Sequence, residues 1–237
     1  MDPSTLPNLE SVRNRAQQAL LRSGRSPDSL RLVGVSKKQS VDKILQALSE
    51  GLLEFGENYV QEWQRKYLEI QKKAPDGSKK IHWHFLGHLQ TNKVRDLVGK
   101  VEYLHTLDRL KLAQKVSQQA AALEHRQKVL IEVNLGEESS KSGYDLDGLR
   151  RDLPALASLP NLSWEGLMAI PPPSPNPEAA RPYFRKLKSL LDECNQTGVF
   201  KKPLTELSMG MSQDFEVAIE EGATMIRVGT ALFGPRQ

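Results

Sequence analysis

Lys37 closes an apolar run, LRLVGVS at 30–36, and shares the strand parity of Val33 and Val35. If those two valines face a core, the lysine points inward at the top of the strand. A lysine there is costly to bury unless it is paired, deprotonated or covalently bound. Position alone also allows a lysine that has already reached the loop, with Lys38 beside it equally basic. A second set of residues could hold an anion. Met209-Gly210-Met211-Ser212 ends a later apolar run and opens the helix-like DFEVAIEEG, so backbone N–H groups and the Ser212 hydroxyl can face a phosphate. Gly229-Thr230-Ala231 opens a short ALFG segment with a further set of donors. A phosphate site opposite an inward lysine suggests a phosphorylated carbonyl ligand, although each glycine taken separately is most often a residue of a tight turn.

His82 and His84 have the i, i+2 spacing that puts two imidazoles on one strand face. A barrel metal site needs further ligands from other strand ends, typically a carboxylate after the last strand. That strand ends in Arg227-Val228-Gly229-Thr230, so no metal is expected and His84 is assigned to hydrogen bonding near the ligand. Cys194 is the only cysteine and sits in a helix-like stretch far from any histidine motif, so it reads as a packing residue.

Positioning these groups requires elements that bring distant segments to one mouth. Eight short apolar runs alternate with longer amphipathic stretches, the pattern of repeated βα units. The runs are 30–36, 52–56, 81–87, 101–106, 128–135, 162–170, 204–210 and 224–230. VDKILQALSEG is the clearest helix, with Val41, Ile44, Leu45 and Leu48 at helical spacing, Ser40 as N-cap and Gly51 as stop. A leading helix from about Leu9 to Leu21 precedes the first strand. Eight units predict a closed (β/α)8 TIM barrel, as one domain over 1–237. An open doubly wound sheet is the alternative, but the first turn, VSKKQS, lacks the glycine-rich dinucleotide fingerprint. PPPSPNP at 171–177 reads as a rigid connection after the sixth strand.

Composition narrows the function classes. With 38% hydrophobic and 26% charged residues the chain reads as a globular protein, and no apolar run approaches the roughly 18 residues of a membrane span. The opening MDPSTLPNLE has neither an apolar signal core nor an Arg-rich presequence, which predicts a cytoplasmic location. The net charge of +4 is spread over helix-like segments and is read as a solvated surface, not a nucleic-acid face.

The motifs LVGVSK (32–37), FGENYVQE (55–62), WHFLGHLQTNK (83–93), NLGEESSKSGY (134–144), GLMAIPP (166–172), LSMGMSQDFEVAI (207–219) and IRVGTALFG (226–234) occur in this order. In that combination the chain resembles the pyridoxal phosphate homeostasis proteins, also called the proline synthetase co-transcribed family. The resemblance implies a fold type III barrel like the N-terminal domain of alanine racemase, with pyridoxal 5′-phosphate (PLP) held as a Schiff base on Lys37. It implies that Ser212, Gly229 and Thr230 bind the phosphate and that Arg227 approaches the pyridine nitrogen. It also implies that Asn58, His84, Met168 and Ser208 line the same pocket. Asn58 has a rival explanation, because Asn58 and Gln61 also make a plausible capping pair for the helix YVQEWQRKYLEI. The chain departs from the family in reading Ser212-Gln213-Asp214 where SDD is common, and Ser40 where proline is common.

An arginine near the pyridine nitrogen keeps that nitrogen unprotonated and weakens the ring as an electron sink. The sequence ends at Gln237, just after the eighth unit, where a racemase would continue into a second domain carrying its other acid/base group. The expectation is therefore a carrier for vitamin B6 homeostasis with no catalytic residues, binding PLP and other B6 vitamers, delivering PLP transiently to apoenzymes, and monomeric. The alternative is a single-domain, racemase-like PLP enzyme.

Overall fold

The computed structural model describes residues 8–136 and 142–234. The middle of the NLGEESSKSGY motif, with Lys141, lies outside them, as do the first seven residues and the last three.

Eight parallel strands close into one barrel in sequence order. Before it comes α1 (Leu9–Arg22), and the first half follows as β1 (Arg31–Val35), α2 (Val41–Ser49), β2 (Glu54–Glu57), α3 (Val60–Lys73), the single turn α4 (Pro75–Ser78), β3 (His82–Phe85), the single turn α5 (Val94–Leu97) and β4 (Tyr103–Leu107). The second half runs α6 (Leu110–Ala122), β5 (Gln127–Glu132), α7 (Leu146–Ser158), β6 (Leu162–Met168), α8 (Arg181–Gln196), β7 (Glu206–Ser208), α9 (Phe215–Glu220), β8 (Met225–Val228) and α10 (Thr230–Phe233). All eight expected apolar runs are strands. The barrel closes through β1, whose Val33 lies opposite Arg227 of β8 on one side, while Val35 lies opposite Gly56 of β2 on the other.

Local chemistry sets the boundaries. Ser40 accepts the Lys43 N–H as N-cap of α2, and Gly51 follows that helix at φ +81, a conformation that favours glycine. Val41, Ile44 and Ala47 are the buried stripe of α2, with Leu45 and Leu48 packed at its margin. The core between barrel and helices is apolar, with Trp63, Ile70, Leu112, Phe184 and Leu187 among its buried side chains. Cys194 belongs to it on α8, where burial pushes its thiol up to about 11. α1 lies outside the ring against α9, with Arg15 over the Phe215 ring and paired to Glu216 at 2.7 Å. Among the described residues no helix is long and apolar enough to cross a membrane.

The barrel interior holds several buried polar groups, among them His84, His105, Glu132, Ser208 and Arg227. Tyr103, Leu130, Met168 and Met225 pack into one small apolar cluster within it. At the N-terminal ends of the strands Arg31 donates to the Tyr103 hydroxyl at 2.8 Å and pairs with Glu206. Arg31, Val33 and Val35 thus point inward, whereas a side chain at Gly34 would strike Leu52, Leu232 and Phe233 on the outer side. This parity carries Lys37 to the C-terminal mouth.

Candidate functional site at the C-terminal mouth

A cavity of about 510 Å³ opens at the C-terminal ends of the strands. Six of the nine expected residues line it: Lys37, Asn58, Ser212, Arg227, Gly229 and Thr230. Lys37 is half-buried and stands in a turn closed by the Gln39 N–H donating to the Ser36 carbonyl at 2.9 Å. On the opposite wall the loop after β7 meets the start of α10. The Ser212 hydroxyl oxygen accepts the N–H groups of Gly229 and Ala231, both at 3.2 Å, so one hydroxyl and two backbone donors converge. Asp214 accepts the Met211 N–H at 2.6 Å and fixes the shape of that loop.

Asn58 is not a helix cap. The N-cap of α3 is Tyr59, without a side-chain cap bond, and the Asn58 Oδ1 is buried with no hydrogen-bond partner. The reason is geometric: β2 ends at Glu57, which leaves Asn58 at the mouth, where its side chain lines the cavity and does not turn back to the helix.

His84, Met168 and Ser208 are brought near the site but do not line the cavity. All three are fully buried in the barrel. Met168 belongs to the apolar cluster with Tyr103, Leu130 and Met225. His84 and Ser208 belong to a chain of hydrogen bonds. Arg227 donates to the Ser208 oxygen at 2.6 Å, Ser208 contacts His105 Nδ1 at 2.9 Å, His105 Nε2 lies 2.8 Å from His84 Nδ1, and His84 Nε2 lies 2.6 Å from Glu54. Burial holds both imidazoles below their usual pKa, with His105 displaced furthest, which favours the neutral rings. Neutral rings satisfy every contact in one direction only, each group donating toward the Glu54 carboxylate. Arg227 also donates to the Ala169 carbonyl at 3.1 Å, and its guanidinium, lowered by burial to about 10, stays charged at neutral pH.

Sequence reasoning missed three features. Ile170 and the prolines 171–173 form a wall of the cavity and are more than a connection. That role was readable from their position directly after the sixth strand, the end at which barrel sites lie. His105 was hidden because its strand, VEYLHT, carries no neighbouring motif. Glu132 of β5 is buried with Oε2 unpartnered, and burial, reinforced by Asp108 and opposed by Arg227, pushes its carboxyl up to about 7. Among the described residues no group of three or more His, Cys, Asp or Glu could hold a metal ion.

Residues 8–237 match the family described as alanine racemase, N-terminal domain. A pyridoxal phosphate homeostasis protein of Aquifex aeolicus is 45% identical over 229 residues, covering 97% of each chain. The chain belongs to the pyridoxal phosphate homeostasis protein family. The solved structure of a further relative, PipY of Synechococcus elongatus with PLP bound, is 37% identical with a TM-score of 0.80, and covers 93% of this chain and 100% of its own. An alanine racemase of Clostridium difficile shares the fold alone, at 17% identity and a TM-score of 0.70, with 57% of its length covered. This chain thus shares the barrel fold of the racemase, and its own Lys37 after β1 lines one cavity with hydrogen-bond donors after β7 and β8.

Proposed function

We propose that this chain binds pyridoxal 5′-phosphate in the mouth cavity, with Lys37 as the amine that takes its aldehyde, and that it holds and releases the cofactor in B6 homeostasis without robust catalysis. The observation that carries this is the meeting, in one cavity, of Lys37, the Ser212–Gly229–Ala231 donor cluster and the buried Arg227. These residues fit the group. The donor cluster and the Thr230 hydroxyl suit a phosphate dianion at a helix start. The charged Arg227, anchored through Ser208, suits an unprotonated ring nitrogen. The unpartnered Asn58 Oδ1 offers an acceptor to the ligand or its water. When bound, PLP supplies a reactive aldehyde, and an imine is reversible when a competing amine arrives.

Support from relatives is of the same kind. Several homologues are named for PLP homeostasis, and PipY has been solved with PLP bound. Binding of other B6 vitamers, transient delivery to apoenzymes, a monomeric state and a cytoplasmic location belong to the same proposal. Borohydride reduction followed by peptide mapping tests it. The pyridoxyl adduct is expected on Lys37, and an adduct mainly on Lys38 or Lys141 overturns the assignment.

A further inference from the structure

Lys66 of α3 is completely buried, yet its ammonium does not reach the cavity. It lies behind the turn that presents Lys37. Its Nζ donates to the Ser36 carbonyl at 2.6 Å, to Glu57 Oε1 at 2.7 Å and to Glu62 Oε1 at 2.8 Å. Three N–H bonds meet three acceptors, so the ammonium is fully satisfied. The same atoms grip the turn again. The Ser36 hydroxyl donates to Glu57 Oε1 at 2.6 Å, and the Lys38 N–H donates to Glu62 Oε1. Both chain neighbours of Lys37 are therefore tied to one buried ionic cluster, while Lys37 itself projects past it into the cavity.

Lys38 sits at φ 59, the left-handed region that a residue with a side chain adopts only when its surroundings demand it. Relaxing that residue would rotate the turn and change which of the two adjacent lysines faces inward. A buried ion pair is weak evidence of stabilisation in its own right, because apolar side chains of similar size often serve a core equally well. What these charges supply here is direction, since each bond fixes a named atom of the turn.

We infer that Lys66, with Glu57 and Glu62, is a positioning device that sets the Ser36–Gln39 turn so that Lys37, and not Lys38, presents its amine to the cavity. The inference rests on Lys37 as the attachment residue. It makes Lys66 a positioning residue that acts through the backbone of the turn and touches no ligand.

The test compares the wild type with Lys66→Met, the charge-neutral double variant Lys66→Met/Glu57→Gln, Glu62→Ala and Glu62→Gln. Each is loaded with PLP, reduced with borohydride and peptide-mapped, with circular dichroism and thermal melting as fold controls. The folded Lys66 variants and Glu62→Ala are expected to bind PLP about tenfold or more weakly and to shift part of the adduct from Lys37 to Lys38. Glu62→Gln keeps an acceptor for the Lys38 N–H and is expected to restore the wild-type adduct pattern. Should the Lys66 variants fail to fold, the Glu62 pair decides, because that side chain is partly exposed, at 17%. A folded variant lacking these contacts, with wild-type affinity and an adduct confined to Lys37, overturns the inference. A wild type unlabelled at Lys37 overturns the attachment reading instead, so the two failures are distinct.

Discussion

In the proposed site Ser212 would have two roles that removing its hydroxyl would expose together: donating to the phosphate and ordering the N–H groups of Gly229 and Ala231, which its oxygen accepts at 3.2 Å. Each charge-assisted bond to a phosphate contributes about 1.5–3 kcal/mol. Ser212→Ala or Thr230→Ala is therefore expected to weaken PLP by roughly tenfold to a hundredfold, while pyridoxal, which lacks the phosphate, loses much less. Titration of both vitamers against each variant checks this, and equal losses would reduce the two hydroxyls to structural residues. Glu132 makes a second residue-scale prediction. Its folded pKa of about 7 stands above the ordinary 4.5, so between those values the folded state holds a proton that the unfolded chain has released. Stability tied to this group is thus fully present below about pH 4.5 and is lost as pH rises toward 7, by up to about 3 kcal/mol. Glu132→Gln should gain on the wild type at pH 8 and gain little at pH 5. Urea unfolding at the two pH values measures the difference, and an identical gain at both would remove Glu132 as its source.

At the scale of elements, the turn after β1 feeds directly into α2. Gln39, in that turn, accepts from the Lys43 ammonium at 3.0 Å, and Ser40 caps the helix. Ser40→Ala is expected to lower stability by about 1 kcal/mol in denaturant unfolding, with the PLP adduct still on Lys37, because the cap anchors the helix and the Lys66 cluster anchors the turn. A stability loss with adduct migration would show that α2 also sets the lysine. Helix α2 was legible because its N-cap, buried stripe and terminal glycine are all near neighbours in sequence. Asn58 was not. Its spacing to Gln61 satisfies a capping pattern, but where β2 ends, and not the helix, decides where that side chain goes.

For the whole molecule, the question is whether such a barrel performs chemistry on amino acids. Racemisation needs an acid/base group on each face of the reacting carbon. Among the described residues lining the cavity the titratable groups are Lys37, Asp214 and Arg227, and Asp214 is bound to the Met211 N–H. Incubation with L-alanine in deuterated water, followed by NMR, is expected to show release of PLP by exchange of amines and only slow deuteration at the α-carbon. Turnover near about 1 per second would make the chain an enzyme. The eight βα units and the donors at Ser212 and Gly229 were legible in the chain, because strand alternation, capping and turn chemistry act over a few residues, whereas the direction of Lys37 was legible only on condition that Val33 and Val35 face the core. Depth came from the packing of the closed barrel. That packing placed His84, Met168 and Ser208 beneath the cavity, joined Arg227 to Glu54 across β8, β7, β4, β3 and β2, and brought Lys66 behind Lys37. Those relations depend on the stagger of strands around a closed barrel and on which helix packs behind which turn, and neither leaves a period in the chain.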